Sequence, residues 1–267
     1  MTRTCHRAVA LVALFALLAA VEGARAVGPN NALNDTGINR FGNDSSNTLD
    51  SEPATHPGQD AGRGRDAGAR AGTLAKVGAG ISGFDFTRIA NNGTVLTANA
   101  AFGTGSLDWG CTYDNVTGLM WEIKLNNPAH LRHWYFAYNW YDSNPATNGG
   151  VVGGPVPGTP SNACLTAGRC DTEKFAQDVN AAGMCGHQDW RLPSVHELAS
   201  IIDYSVAVTP TIDAGYFPNT LASGFWTASV YVEFNGANAW FVNFYYGRTE
   251  GTIKTAAAQV RLVREGK

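Results

Sequence analysis

Cys185-Gly186-His187-Gln188-Asp189-Trp190-Arg191-Leu192-Pro193-Ser194-Val195-His196-Glu197-Leu198 is the stretch that decides how this chain folds. Ser194 followed three positions later by Glu197 is a capping box: the hydroxyl accepts from the Glu197 amide, and the carboxylate reaches back to the Ser194 amide. The box predicts a helix start, and Val195, Leu198, Ile201 and Ile202 recur behind it at helical spacing. Asp189, Trp190 and Arg191 form a polar and aromatic knot just ahead, where the Arg191 fork suits a carboxylate. These five residues, Asp189, Trp190, Arg191, Ser194 and Glu197, are read as maintaining the fold. His196-Glu197 begins like a zinc-protease helix, but position 200 is a serine where the second histidine belongs, so no metal site is expected there.

Upstream, Asp171 or Thr172 caps a short helix whose apolar side is Phe175, Ala176 and Val179, and Gly183 sits where helices end. Most of the remainder reads as antiparallel strand. Residues 119–124 follow a turn at 114–118, and residues 225–232, 239–246 and 259–264 form successive strands between Gly- and Asn-bearing turns. Within 239–246, period-two alternation places Trp240, Val242, Phe244 and Tyr246 on one face. Antiparallel strands with two short helices define an α+β domain.

The most suggestive run for binding is His133-Trp134-Tyr135-Phe136-Ala137-Tyr138-Asn139-Trp140-Tyr141, ahead of a Gly/Pro/Asn-rich loop over 142–162. As a strand it would send Trp134, Phe136, Tyr138 and Trp140 to the core. The other face, Tyr135, Asn139 and Tyr141 with neighbours His133 and Asp142, is then the candidate ligand surface. Aromatic faces take the apolar side of sugar rings, and Asn, Asp and His orient hydroxyls.

Arg3 and Arg7 precede 14 residues, 8–21, without a charge or polar side chain, and Ala24-Arg25-Ala26 closes the segment. A membrane span needs roughly 20 apolar residues, so 1–26 reads as a cleaved signal peptide and no span is expected after processing. The expected location is secreted, periplasmic or on the cell surface. Removing that segment leaves four cysteines, an even number suited to disulfides. Of three connectivities, Cys164 with Cys170, six positions apart in one loop, and Cys111 with Cys185 is the expected set. A zinc site lacks both a C-x-x-C and a histidine at ligand spacing.

Residues 27–80 are rich in Gly, Asn, Asp, Ala and Arg, with Phe41 their one aromatic, and read as a flexible leader; local docking of 39–47 is the alternative. Residues 81–267 hold all seven tryptophans and form the folded unit. Its charge is −4, eleven basic against fifteen acidic residues, with no basic stripe, so a nucleic-acid partner is not expected.

Thr117-Gly118-Leu119-Met120-Trp121-Glu122, Val179-Asn180-Ala181-Ala182-Gly183, the 185–198 stretch, Phe225-Trp226-Thr227-Ala228-Ser229 and Val260-Arg261-Leu262-Val263-Arg264 together resemble the ordered signature of the Lcl C-terminal domain family over about residues 107–265. Most members of that family have no assigned activity, and its namesake closes a secreted collagen-like adhesin that binds sulfated polysaccharide. This chain has neither that adhesin's Gly-X-Y repeat nor a basic excess. Arg191 to Glu197 and the closing 260–264 run are also distantly similar to formylglycine-generating enzymes and the C-type lectin-like fold. The cysteine pair on which that catalysis depends is missing, since no cysteine follows Cys185. Neither Glu-Pro-Asn nor Trp-Asn-Asp occurs, so calcium would have to be held by scattered oxygens. No cofactor is expected. The resulting expectation is an exported, non-enzymatic domain of C-type lectin-like architecture that binds glycan or another surface polymer. A protein-interaction module and an enzyme of unknown reaction are the alternatives.

Overall fold

The computed structural model describes residues 33–154 and 164–266. The expected signal segment, and residues 155–162 of the Gly/Pro/Asn-rich loop, lie outside those described.

Phe86–Ala90 (β1), Trp109–Asp114 (β2), Leu119–Glu122 (β3) and Val263–Glu265 (β9) form an antiparallel sheet in the order β1-β2-β3-β9. The β2–β3 turn is held by Asp114, whose Oδ1 accepts from the amides of Val116 and Thr117, and Gly118 takes the left-handed φ of 77° that closes it. β3 is buried on both faces: Met120 joins one apolar cluster with Tyr138, Phe175 and Trp226, and Trp121 joins another with Phe86, Phe217 and Phe225. Period two explains the split.

Tyr138–Asn139 (β4) pairs with Ala257–Ala258 (β8). Gly224–Tyr231 (β5), Asn238–Asn243 (β6) and Arg248–Ile253 (β7) make a second antiparallel sheet. Among the described residues the helices are short: Gly64–Arg70 (α1), Thr172–Ala181 (α2) and Val195–Ala199 (α3). None is long and apolar enough to cross a membrane. The result is a mixed α and β structure in which the paired strands run antiparallel.

Both caps follow the chemistry of their residues. Asp171 accepts from the Lys174 amide at 2.8 Å to open α2, and Gly183 follows it at φ 63°. At α3 the Ser194 hydroxyl accepts from Glu197 N at 3.2 Å while the Glu197 carboxylate accepts from Ser194 N at 2.7 Å. The carboxylate also takes both arms of Arg191, at 2.9 and 2.8 Å. Burial alone would raise Glu197, but the Arg191 and Ser194 bonds together overcome it and hold the carboxyl below its ordinary range. Trp190 is buried and donates to Met184 O, while Asp189 grips Arg264 of β9. The knot thereby fastens α3 to the first sheet, and Arg191 pairs with Val263 through two backbone bonds.

Cys111 bonds Cys185 across 74 positions, joining β2 to the turn after α2, and Cys164 bonds Cys170.

Two strands end sooner than alternation implies. β6 stops at Asn243, whose side chain accepts from Tyr245 N; the chain turns there, and Tyr246 stands exposed instead of sharing the Val242 face. Residues 259–264 are extended but change partners. Gln259 bonds Gly224 and Trp226, Leu262 bonds Glu122, and only Val263–Glu265 runs as a strand.

The described part of the expected leader has little regular structure, as its composition implies, yet residues 33–80 lie against the domain. The Asp66 carboxylate accepts from the amides of Gly37 and Gly83, Asn34 donates to Asp114, and Tyr204 N donates to Thr36 O. Phe41 is 2% exposed beneath the Arg70 guanidinium. The physical reason is that carboxylates and backbone amides supply the cohesion that apolar side chains cannot.

Candidate functional site

The aromatic run is not one strand. Trp134 N bonds Leu125 O, Phe136 N bonds His133 O, and the chain becomes strand only at Tyr138. Tyr138 and Trp140 reach the core, whereas Trp134 and Phe136 are half-buried. Asn139 does not reach the surface: it is 4% exposed and its amide donates to Thr255 O and Ala256 O. The turn breaks the alternation, and a two-residue strand needs a side-chain clamp to hold its partner.

The five candidate ligand residues therefore separate. Tyr141 is half-buried, with Lys174 Nζ 5.4 Å from its ring centroid and Gly154 packed so tightly that a Cβ there would lie 3.0 Å from Cδ2. Asp142 organises its own loop, accepting from Asn144 N and Thr147 Oγ1. His133 packs edge-on against Phe136, and burial lowers its pKa. Tyr135 is the member left open, 58% exposed, with its ring 5.4 Å from that of Trp134.

Trp134, assigned by alternation to the core, instead lines a recess of about 280 Å³ with Asn126, Asn219, Thr220, Leu221 and Ala222. Its indole N–H donates to Asn126 Oδ1 at 3.0 Å, which fixes the ring plane. Asn219 donates its amide to Lys124 O and holds a left-handed backbone at φ 55°. Asparagine takes this left-handed backbone more readily than most residues, which suits Asn219 to the turn at the recess. Thr220 is anchored to Phe217 O and accepts from Arg261 Nη2 at 2.7 Å. An indole beside amides and a hydroxyl can stack a ring and orient its polar edge. The sequence offered no signal for Asn126, eight positions ahead of Trp134, or for Asn219 and Thr220, which lie far from the aromatic run and reach it only through the fold.

Behind this recess lies a buried group of charges. Glu122, Lys124, Arg132 and Arg261 are all at most 4% exposed. Lys124 Nζ donates to Glu122 Oε1 at 2.6 Å, Leu262 N donates to Glu122 Oε2, and Arg132 donates to Gly110 O. Burial pushes the Lys124 ammonium down to about 8 against the pull of Glu122, and pushes Arg261 down to about 10.

Elsewhere, Asp35, Asp60 and Asp66 bring carboxylate oxygens within 4.8 Å of one another. Both Asp66 oxygens already accept backbone amides, and Thr36 donates its hydroxyl to Asp60. Burial, reinforced by Asp35 and Asp60, pushes Asp66 up to about 6.

The fold and site define a disulfide-linked antiparallel domain with an aromatic-walled recess. The Lcl C-terminal domain model matches residues 110–264, more than half of the chain, and the chain belongs to that family. No curated protein and no solved structure matches it.

Proposed function

We propose that the protein is an exported, non-catalytic domain of C-type lectin-like architecture that binds glycan at the Trp134 recess. The observation that carries this reading is the juxtaposition of Trp134 with Asn126, Asn219 and Thr220, and with exposed Tyr135 beside it. Such a wall suits a neutral or weakly charged saccharide, held by stacking and hydroxyl hydrogen bonds. The domain's −4 balance favours that mode over charge-driven capture. Export is supported by the apolar 8–21 run and by two disulfides of the kind that persist in oxidising compartments. Lys124 and Arg261, whose pKa values burial lowers, lie in the interior and not on the recess wall.

The test is glycan-array retention and thermal melting of the mature chain, Trp134→Ala and Tyr135→Ala across a salt series. Retention is expected to fall tenfold or more in folded variants and to change little with salt in the parent. Unchanged retention in folded variants, or parent binding abolished by moderate salt, overturns the proposal.

A second reading, a protein-interaction surface, is favoured by Val232 at 84% and Phe234 at 68% exposure on the β5–β6 connection. Phe234 and Asn235 there both hold left-handed φ values, 58° and 54°, and the Phe234 ring lies 6.4 Å from that of Tyr231. Phe234→Ser that spared glycan retention but removed capture of a protein partner would favour it.

A further inference from the structure

The buried group behind the recess is short of acceptors and of negative charge. Three cations, Lys124, Arg132 and Arg261, face one anion, Glu122, and both Glu122 oxygens are already taken, by Lys124 and by the Leu262 amide. Arg132 satisfies itself on Gly110 O and Asn91 Oδ1. Arg261 does not. Its Nη2 reaches Thr220, but Nε and Nη1 are buried without a partner. The Tyr138 hydroxyl, which feels the Glu122 charge, is a further buried group without one. Phe217 and Phe225 cover the guanidinium at 4.9 and 5.5 Å, but ring faces attract its charge without accepting along its N–H edges.

Buried charge of this kind is retained where it is paired and its hydrogen bonds are met. Water behind Thr220 would supply acceptors but no charge. Deprotonated Lys124 would shed one charge and still leave the Arg261 edges bare. A small anion supplies both missing quantities at once.

We propose that Arg261, through Nε and Nη1 and with the positive field of Lys124 beside it, holds a small monovalent anion of halide or formate size inside the domain. The site is independent of the saccharide reading, since Thr220 stands between the recess and the guanidinium.

The test uses the mature chain with gluconate as the starting anion. Chloride, bromide or formate replaces it at constant ionic strength while thermal melting is followed. A saturable rise is expected, of about 5 °C or more at a hundredfold excess over Kd. A rise with halides alone marks a halide site, and a rise with formate alone marks a carboxylate site. Arg261→Met is expected to lose the response. Should that variant fail to fold, bromide anomalous diffraction from the parent decides: a peak within hydrogen-bonding distance of Arg261 Nε or Nη1 supports the site. Ordered water alone at that place in crystals soaked in bromide and in formate, or melting that ignores which anion is present, overturns it.

Discussion

Residues 33–80 and the domain that follows are held by different means. The domain buries Trp121, Trp140 and Trp226 completely, and a 74-position disulfide crosses its core. The leader buries Phe41 and little else of size, and is fixed by carboxylates that accept backbone amides, Asp66 from Gly37 and Gly83, and Asp85 from Val77 and Gly78. Apolar cohesion is nonspecific and large in sum, whereas a carboxyl clamp depends on geometry at a few atoms and responds to pH. The two regions should therefore fail under different insults.

The largest effect is expected from replacing Cys111 and Cys185 together with alanine. On the chain-entropy model a loop of this length stabilises by about 4 kcal/mol, against about 2 kcal/mol for the Cys164–Cys170 loop. Calorimetry should show the first pair's loss lowering the domain's melting temperature about twice as far as the second's. Equal shifts would break the assignment of the long-range bond to the core.

Glu197→Ala comes next. It strands the Arg191 fork and the Ser194 amide together, for a cost of about 2–3 kcal/mol. Chemical denaturation should show a single cooperative transition at lower denaturant, since α3 is tied to β9 through this knot. A variant that melted in two steps would show that the knot serves only its own helix.

Much of that knot was legible in the sequence, because caps and forks are local: Ser194, Glu197, Arg191 and Asp171 act within a few positions of their partners. The sequence allowed three cysteine connectivities, and Cys111 with Cys185 was the expected one only because Cys164 and Cys170 share a short loop. The aromatic run was not, because alternation predicts faces only while a strand lasts, and the chain turns at 133–137. That turn put Trp134 at the recess and Asn139 in the interior. Asn126, Asn219, Thr220 and Arg261 meet through tertiary contacts that no periodicity records. Docking within the leader was open in the sequence only as the local alternative at 39–47, because composition measures apolar content and the attachment of 33–80 is largely polar.

Phe41→Ala should act on the leader alone. Amide exchange across 33–80 is expected to speed up about tenfold or more while the domain's melting temperature moves by under about 2 °C, because Phe41 packs beneath Arg70 of the leader itself. A fall of the whole domain would erase the distinction between the two regions.

The smallest effect, and the sharpest in sign, is with pH. Asp66 is pushed from 3.8 up to about 6 by burial, so its proton favours the docked leader. That contribution is fully present below about pH 4 and is lost as pH rises through about 6. Asp189 and Glu197 behave oppositely. Arg264 holds the first below its ordinary range, and Arg191 and Ser194 together overcome burial to do the same for the second. Their stabilisation is present above the ordinary carboxylate range and is lost as pH falls through the lowered values. Exchange rates corrected for intrinsic chemistry should show 33–80 better protected at pH 4.5 than at pH 7.5. Leader protection that grew with pH would show that the clamp works ionised.

Residues 257–265 follow every other described strand, yet they close three separate seams: β8 on β4, Gln259 on β5, and β9 on β3. A chain threaded out of a ribosome or through a membrane pore from its N-terminal end must therefore wait, with three sheet edges open, until residues 257–265 emerge. Its assembly is a zipper whose slider arrives last, and until then the exposed edges invite pairing with neighbours. Truncation before Ala257 should accordingly give not a smaller domain but a sticky, half-joined one.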